Sequence, residues 1–95
     1  MEFEWDENKR QKNIAKHGLG FVLAEAFFAG RIIAESDIRK DYGEERYKAI
    51  GEAADQILVV IYTVRKQDVY RIISIRRARK DEQRAYRAIQ ERHEG

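Results

Sequence analysis

Seven residues from Ile57 to Thr63 carry no charge and no glycine, and this apolar run limits the possible folds more than any other part of the chain. A run of β-branched and aromatic residues that does not alternate with polar ones is typical of a strand buried on both faces of its sheet. The run is also far too short to cross a membrane as a helix. We therefore expect Ile57–Arg65 to be a central strand.

A second β-prone segment, Val69 to Arg79, ends in the three arginines Arg76, Arg77 and Arg79. Its polar side chains fall on both faces of the pleat, because successive residues of a strand point to opposite sides. Between Arg65 and Arg87 there are nine Lys and Arg against three Asp and Glu, a local net charge of +6, whereas the whole chain carries only +2. Such a local concentration of positive charge indicates a polyanionic partner.

The rest of the chain supplies three helices and three further strands. In chain order we expect a strand at Phe3–Trp5, helices at Glu7–His17 and Phe21–Ala29, strands at Arg31–Ser36 and Glu45–Glu52, and a final helix at Lys80–Glu91. Asp6 is a typical N-cap and Gly18 a typical C-terminal cap for the first helix. In that helix the three- and four-residue spacing puts Asn13 on a polar face with Lys9, Lys12 and Lys16, and Ile14 is expected to anchor the other face. Four successive strands with short connections favour an antiparallel meander, so the order β-α-α-β-β-β-β-α predicts a single α+β domain over residues 1–95.

Composition excludes several kinds of site. The chain has no cysteine, which excludes disulfides and thiolate chemistry, and its two histidines are far apart with no clustered pair of aspartates. No convincing metal-ligand spacing results, so we expect no cofactor and a metal-independent mechanism for any hydrolysis. The acidic N-terminal sequence lacks the basic start and apolar middle of a signal peptide, so we expect a cytoplasmic protein.

His17 is the first candidate for chemistry. It ends the first predicted helix, with Lys16 beside it and Lys12 one turn earlier, and these ammonium groups favour a neutral imidazole that can act as a general base or acid. The alternative is a histidine that only compensates the helix dipole. His93 lies in a C-terminal segment that we expect to fray, and we assign it no role.

Arg71 and Arg76 lie inside a predicted interior strand, where a guanidinium needs a partner or an open face. Phosphate is one such partner, because a guanidinium can grip it with two parallel hydrogen bonds and stabilise charge that develops in a transition state. An ion pair with Glu52, Asp81 or Glu82 is the alternative, and the sequence does not decide between them.

Other polar residues are weaker candidates. Arg46 and Glu52 share a predicted face of one strand, where they could converge on the same groove as Arg76 or simply form a salt bridge. Arg77, Arg79 and Lys80 are expected in a solvated collar that attracts a nucleic-acid backbone and takes no part in chemistry. The five tyrosines could stack on bases, but tyrosines at strand and helix spacing are mostly core residues.

These segments together resemble the BrnT family, whose pattern they follow in order and at similar spacing. The segments that carry the resemblance are Phe3–Asp6, Asn13–Gly18, Phe21 with Glu25 and Ala26, Asp41–Arg46, Val60–Thr63, Arg71–Ala78 and Glu82–Tyr86. Each is short, but their joint register over nearly the whole chain is specific.

The resemblance implies a RelE-like fold and the toxin of a type II toxin–antitoxin system. Such a toxin would be a metal-independent endoribonuclease that inhibits translation and growth, with a 2′-hydroxyl attacking the adjacent phosphate. It would be neutralised by a BrnA-like antitoxin of the ribbon-helix-helix type, in a complex that binds operator DNA.

The resemblance also implies site residues. The implied catalytic residues are Lys16, His17, Arg46, Glu52 and Arg76. The resemblance implies Tyr86 as an RNA contact as well, while their positive charge makes Lys12, Arg71, Arg77 and Arg79 the other expected RNA contacts. The general base could be His17, Glu52 or a lysine. A nucleic-acid-binding or protein-binding module without catalysis remains the main alternative, because the local charge of +6 would serve it equally well, and an enzyme acting on a small anion is a third possibility.

Overall fold

The computed structural model describes residues 1–94, with side chains described through residue 92, so the side chain of His93 lies outside the described part. The elements in chain order are β1 (Glu2–Trp5), α1 (Glu7–His17), α2 (Leu23–Ala29), β2 (Ile33–Ser36), β3 (Tyr47–Ala53), β4 (Gln56–Arg65), β5 (Val69–Arg77) and α3 (Lys80–Glu94). The predicted α+β class and the predicted order of elements are both confirmed. Within the described residues, no helix has the length and apolar character needed to cross a membrane.

The five strands form one sheet in the order β1-β5-β4-β3-β2. Strands β2 to β5 pair as an antiparallel meander, while the short N-terminal strand β1 adds to the edge of β5 in parallel orientation. β4 is therefore the central strand, as its apolar run predicts. Leu58, Val59 and Val60 are each fully buried, so both of its faces are covered.

The sheet separates two apolar clusters. On one face Phe21 and Phe27 pack against residues such as Leu58 and Val60 of β4. On the other face Tyr86 of α3 joins the smaller cluster that contains Val59. Because alternate residues of β4 point to opposite sides, its continuous apolar run feeds both clusters.

Helix α1 lies against β5 through a polar residue. The Asn13 side chain donates from Nδ2 to the carbonyl oxygens of Leu19 (2.9 Å) and Ile75 (2.8 Å), and its Oδ1 accepts from the Ile75 N–H (3.0 Å). Since the pairing of β1 with β5 ends at Ile72, the amide satisfies the strand edge beyond that point. The expectation that Asn13 faces outward and Ile14 anchors the helix was wrong, because Asn13 is 6% exposed and Ile14 40%.

Two helix caps and two tight turns fix the ends of α1 and the connections from β3 to β5. Asp6 caps α1 by accepting from the Lys9 N–H, and Gly18 ends it in the left-handed region at φ 71°. Ala54 and Asp55 form the two-residue β3–β4 turn with φ of 51° and 61°. Lys66 takes a φ of 52° in the β4–β5 turn, so this connection forms without a glycine.

Candidate functional site

Glu82 is the centre of a cluster of cations at the start of α3. Its two carboxylate oxygens accept from both terminal nitrogens of Arg76, at 2.8 and 2.9 Å. Lys48 Nζ lies 3.1 Å from Oε2, and the Arg79 guanidinium lies 3.5 Å from it. We call these four residues the Glu82 cluster. The ion-pair alternative for Arg76 is therefore realised, with Glu82 as the partner.

The local sequence explains why a carboxylate stands there. Glu82 is the third residue of α3, and Oε1 accepts from the backbone N–H of Arg79, the residue before the helix, at 2.8 Å. A glutamate at this position commonly reaches back to satisfy an N–H that the helix leaves free. The hydrogen bond from Arg76, helped by the Arg79 N–H and Lys48, holds the pKa of Glu82 far below its usual range.

Lys48 is a member of this cluster that the sequence interpretation did not select. In the sheet, Lys48 pairs with Ile61 and Ile61 pairs with Ser74, on the same face as Arg76. The signal was present in the alternation of Glu45–Glu52, which predicts that Lys48 shares a face with Glu52. The local sequence could not show that α3 places the Glu82 carboxylate on the same face of the sheet as Lys48.

The end of α1 and the end of β5 meet at a second cluster. Arg77 Nη1 donates to the backbone oxygen of His17 at 2.8 Å, and its Nε donates to Gln56 at 2.6 Å. The pKa of the half-buried His17 imidazole is lowered, first by burial and then by the charges of Lys16, Arg76 and Arg77. We call Lys16, His17, Arg76 and Arg77 the α1–β5 junction.

The junction combines groups suited to reactions of phosphate esters. A histidine with a lowered pKa is mostly neutral at pH 7 and can accept a proton. The cations beside it favour negative charge on a nearby group. Lys16 and Lys12 are both solvent-exposed on α1, within reach of an incoming anion.

Arg46 lies away from this junction. Its guanidinium stands 4.0 Å from the centre of the Tyr42 ring and 3.2 Å from Glu44. Arg46 and Glu52 do share a face, but six residues of extended strand separate them by about 20 Å. The expectation that they converge on one groove was wrong, because residues at opposite ends of a strand cannot do so.

Two of the expected RNA contacts have other partners. Arg71 lies 3.3 Å from Glu4 of β1, a cross-strand pair at the far end of β5. Tyr86 is 2% exposed and its hydroxyl donates to the Arg31 carbonyl at 2.9 Å. A ring buried in this way offers no face to a base, so Tyr86 belongs to the core and not to an RNA contact.

A polar groove runs between the β3–β4 turn and α3. The polar side chains along it are Glu52, Asp55, Gln56, Arg77, Gln83 and Arg87. Arg77 belongs to both the groove and the junction, so the two are continuous. Glu52, which is exposed, therefore lies near the proposed chemistry although Arg46 does not.

No group of three or more His, Cys, Asp or Glu side chains suited to holding a metal ion occurs among the described residues. The charged side chains that gather at this end of the sheet are basic ones together with the carboxylates of Glu52, Asp55 and Glu82.

The fold and its matches place the chain in the class of small α+β ribonuclease toxins. A family model described as "Ribonuclease toxin, BrnT, of type II toxin-antitoxin system" matches residues 5–82, and the chain belongs to that BrnT family. The crystal structure of the Brucella abortus ribonuclease toxin BrnT is similar, with a TM-score of 0.65 and 39% sequence identity. The alignment covers 84% of this chain and 99% of that one. Comparison with curated proteins gave no match. The resemblance seen in the sequence is thus confirmed.

Proposed function

We propose that this toxin cleaves RNA without a metal ion at the α1–β5 junction. The observation that carries the proposal is the hydrogen bond from Arg77 to the His17 carbonyl, which joins the histidine to the strand end that bears the arginines. The lowered pKa of His17 supports it, because a neutral imidazole is the form that accepts a proton.

In the proposed reaction, His17 takes the proton of a ribose 2′-hydroxyl. The oxygen then attacks the adjacent phosphorus and the bond to the 5′-oxygen of the next nucleotide breaks. That oxygen leaves with a proton from water, so the products are a 2′,3′-cyclic phosphate and a 5′-hydroxyl. Arg77 and Lys16 stabilise the added charge on the phosphate. Glu52, at the groove, is the alternative proton acceptor.

Arg76 contributes from a fixed position. Glu82 engages one N–H on each terminal nitrogen of the guanidinium, and Nη1 also donates to the Arg77 carbonyl at 3.2 Å. The Nε–H and one N–H of Nη2 are left for a phosphate. The Glu82 cluster would therefore hold Arg76 in one orientation without occupying all its donors.

The test is cleavage by the purified protein. We expect RNA to be cut in EDTA, to give 2′,3′-cyclic phosphate ends, and His17→Ala to lose at least about 100-fold in kcat. Lys9→Ala, an exposed cation elsewhere on α1, is the matched control and should cut normally. Intact RNA in EDTA with restored cleavage on addition of Mg²⁺ would overturn metal independence.

A binding module without catalysis is the second candidate, favoured by the charge of +6 over residues 65–87. The two candidates differ in their response to Arg77→Ala. A pure binder should lose affinity in a graded, salt-dependent way, whereas a nuclease should lose turnover with a smaller loss of binding.

For the cellular setting we propose a cytoplasmic toxin neutralised by a BrnA-like antitoxin. A ribbon-helix-helix antitoxin would also carry the complex to operator DNA. Co-expression of the neighbouring reading frame should relieve growth arrest. The purified complex should bind a DNA fragment from its own promoter in a gel-shift assay. If growth arrest continues, the product of that reading frame is not the antitoxin.

A further inference from the structure

Helix α3 has a row of cations on its outer face. Its inner face carries Glu82 and Tyr86, and on the opposite side Lys80, Arg84 and Arg87 follow at spacings of four and three residues. Residues at this spacing lie one above the other on a helix. All three are exposed. None has an ion-pair or hydrogen-bond partner among the described residues. We call these three residues the α3 ridge.

The ridge differs from the cations around it. Arg76 and Lys48 pair with Glu82, and Arg79 pairs with Asp81 at 3.2 Å as well as with Glu82. The partnered cations thus form one group on the sheet side of α3. The ridge forms another that faces solvent, so its charge is available to an external anion.

The charges of the ridge work against the helix itself. Like charges three and four residues apart destabilise a helix by about 0.2–0.5 kcal/mol per pair. Lys80 in the first turn also faces the positive end of the helix dipole. An outer face selected for helix stability would alternate acids with bases, so this arrangement favours a role in binding.

The polar groove connects the ridge to the α1–β5 junction. Arg87 lines the groove opposite Arg77, which holds the His17 carbonyl. Glu52 and Asp55 stand on the turn side and would repel a phosphate backbone, which directs the path along α3. Lys80 to Arg87 spans about 10 Å of helix. That length corresponds to about three nucleotides of a stacked strand.

We propose that the α3 ridge binds the RNA backbone a few nucleotides from the cleaved bond and so sets the length of RNA that is cut efficiently. This inference rests on the proposed ribonuclease function. RNA fits the ridge better than an acidic protein does, because phosphate binding needs only cations, whereas a protein interface needs buried apolar anchors that the ridge lacks.

The test compares Lys80→Gln/Arg84→Gln/Arg87→Gln with the control Lys9→Gln/Lys40→Gln/Lys66→Gln, which removes three exposed cations elsewhere. For each protein, kcat/KM is measured on a 20-nucleotide and a 4-nucleotide RNA of the same central sequence. We expect the long-to-short ratio to fall at least tenfold for the ridge variant and to stay as in the wild type for the control. Equal ratios in all three proteins would overturn the proposal.

A binding measurement separates this proposal from the ribonuclease function. Fluorescence anisotropy with the 2′-deoxy form of the 20-nucleotide strand needs no cleavage. The ridge variant should lose affinity, and its slope of log K against log salt should become less steep by about 0.7 per lost contact. If the wild type does not cleave RNA but the ridge variant still binds the strand more weakly than the wild type does, the ribonuclease function is refuted. The ridge would then still be a binding site for the nucleic-acid backbone.

Two other results would count against the ridge. If the ridge variant binds the strand as the control does but no longer binds the antitoxin, the ridge is a protein interface and the proposal fails. Thermal unfolding of each variant checks the fold. If the triple variant does not fold, the single substitution Arg87→Gln replaces it. This substitution should reduce the long-to-short ratio of kcat/KM by about threefold.

Discussion

Glu82 is a single side chain that neutralises cations from three places in the fold. It brings together Lys48 of β3, Arg76 of β5 and Arg79 before α3. Since the carboxylate is 9% exposed, its interactions are little screened by water. Removing its charge would leave the cations near one another without compensation.

Glu82→Gln should therefore destabilise the protein by roughly 2–3 kcal/mol at pH 7. The pKa of Glu82 is lowered in the folded state, so its contribution is complete above the unfolded pKa of about 4.3 and is lost as the pH falls toward the folded value. The difference from wild type should accordingly narrow below about pH 4.3. Urea unfolding between pH 3 and 7 measures this difference in the free energy of unfolding. Glu91→Gln, at an exposed position on the same helix, is the control. A gap that does not change with pH would contradict the charge-based account.

His17 allows a direct test of the electrostatics at the junction. Burial is the largest cause of its lowered pKa, and Lys16 is the next. Lys16→Gln should raise the pKa of His17, because it removes a positive charge that disfavours the imidazolium. NMR titration in a His93→Gln background follows the one remaining imidazole, and Lys9→Gln should have no effect. An unchanged His17 pKa in Lys16→Gln would show that the Lys16 charge does not lower it.

At the scale of elements, Asn13 attaches α1 to the strand edge that β1 leaves open. Asn13→Ala would leave the Ile75 N–H and the oxygens of Leu19 and Ile75 without this partner. We expect a loss of about 3 kcal/mol in the free energy of unfolding. Asn8→Ala, on the exposed side of α1, should change it by less than about 0.5 kcal/mol. Equal effects would mean that the amide bonds do not attach the helix.

The β3–β4 turn is strained at Ala54. Its φ of 51° suits glycine better than alanine, and a turn with two positive φ values is one that glycine and asparagine favour. Ala54→Gly should raise the free energy of unfolding by about 1 kcal/mol. Ala88→Gly, the same change on the exposed side of α3, should lower it by about 1 kcal/mol. Thermal unfolding compares the two variants with the wild type. If both variants are less stable, the backbone at Ala54 is not strained.

At the scale of the whole molecule, the elements could be predicted because each has its own signal. The predicted bounds of α1 and the start of α3 agree with the structure, and β4 is central as its apolar run indicates. Capping residues and periodicity are local properties, so a sequence reveals them without knowledge of the fold.

Contacts between elements could not be predicted in the same way. Helical periodicity predicted an exposed Asn13 and a buried Ile14, but the structure shows the reverse. An asparagine that bonds to the edge of a strand cannot be told from a solvent-exposed one by its spacing in the sequence. The separation of Arg46 from Glu52 followed from strand length, but the partner of Arg76 depended on where α3 docks. The sequence alone therefore could not give the contacts of a side chain whose partners lie far away along the chain.

The parallel pairing of β1 with β5 has a consequence for the synthesis of the toxin. Glu2 is paired with Val69, and His17 receives its hydrogen bond from Arg77. During translation, the first strand and first helix leave the ribosome long before their partners, and such long-range contacts form late. The α1–β5 junction therefore cannot assemble in a nascent chain until β5 has emerged from the ribosome.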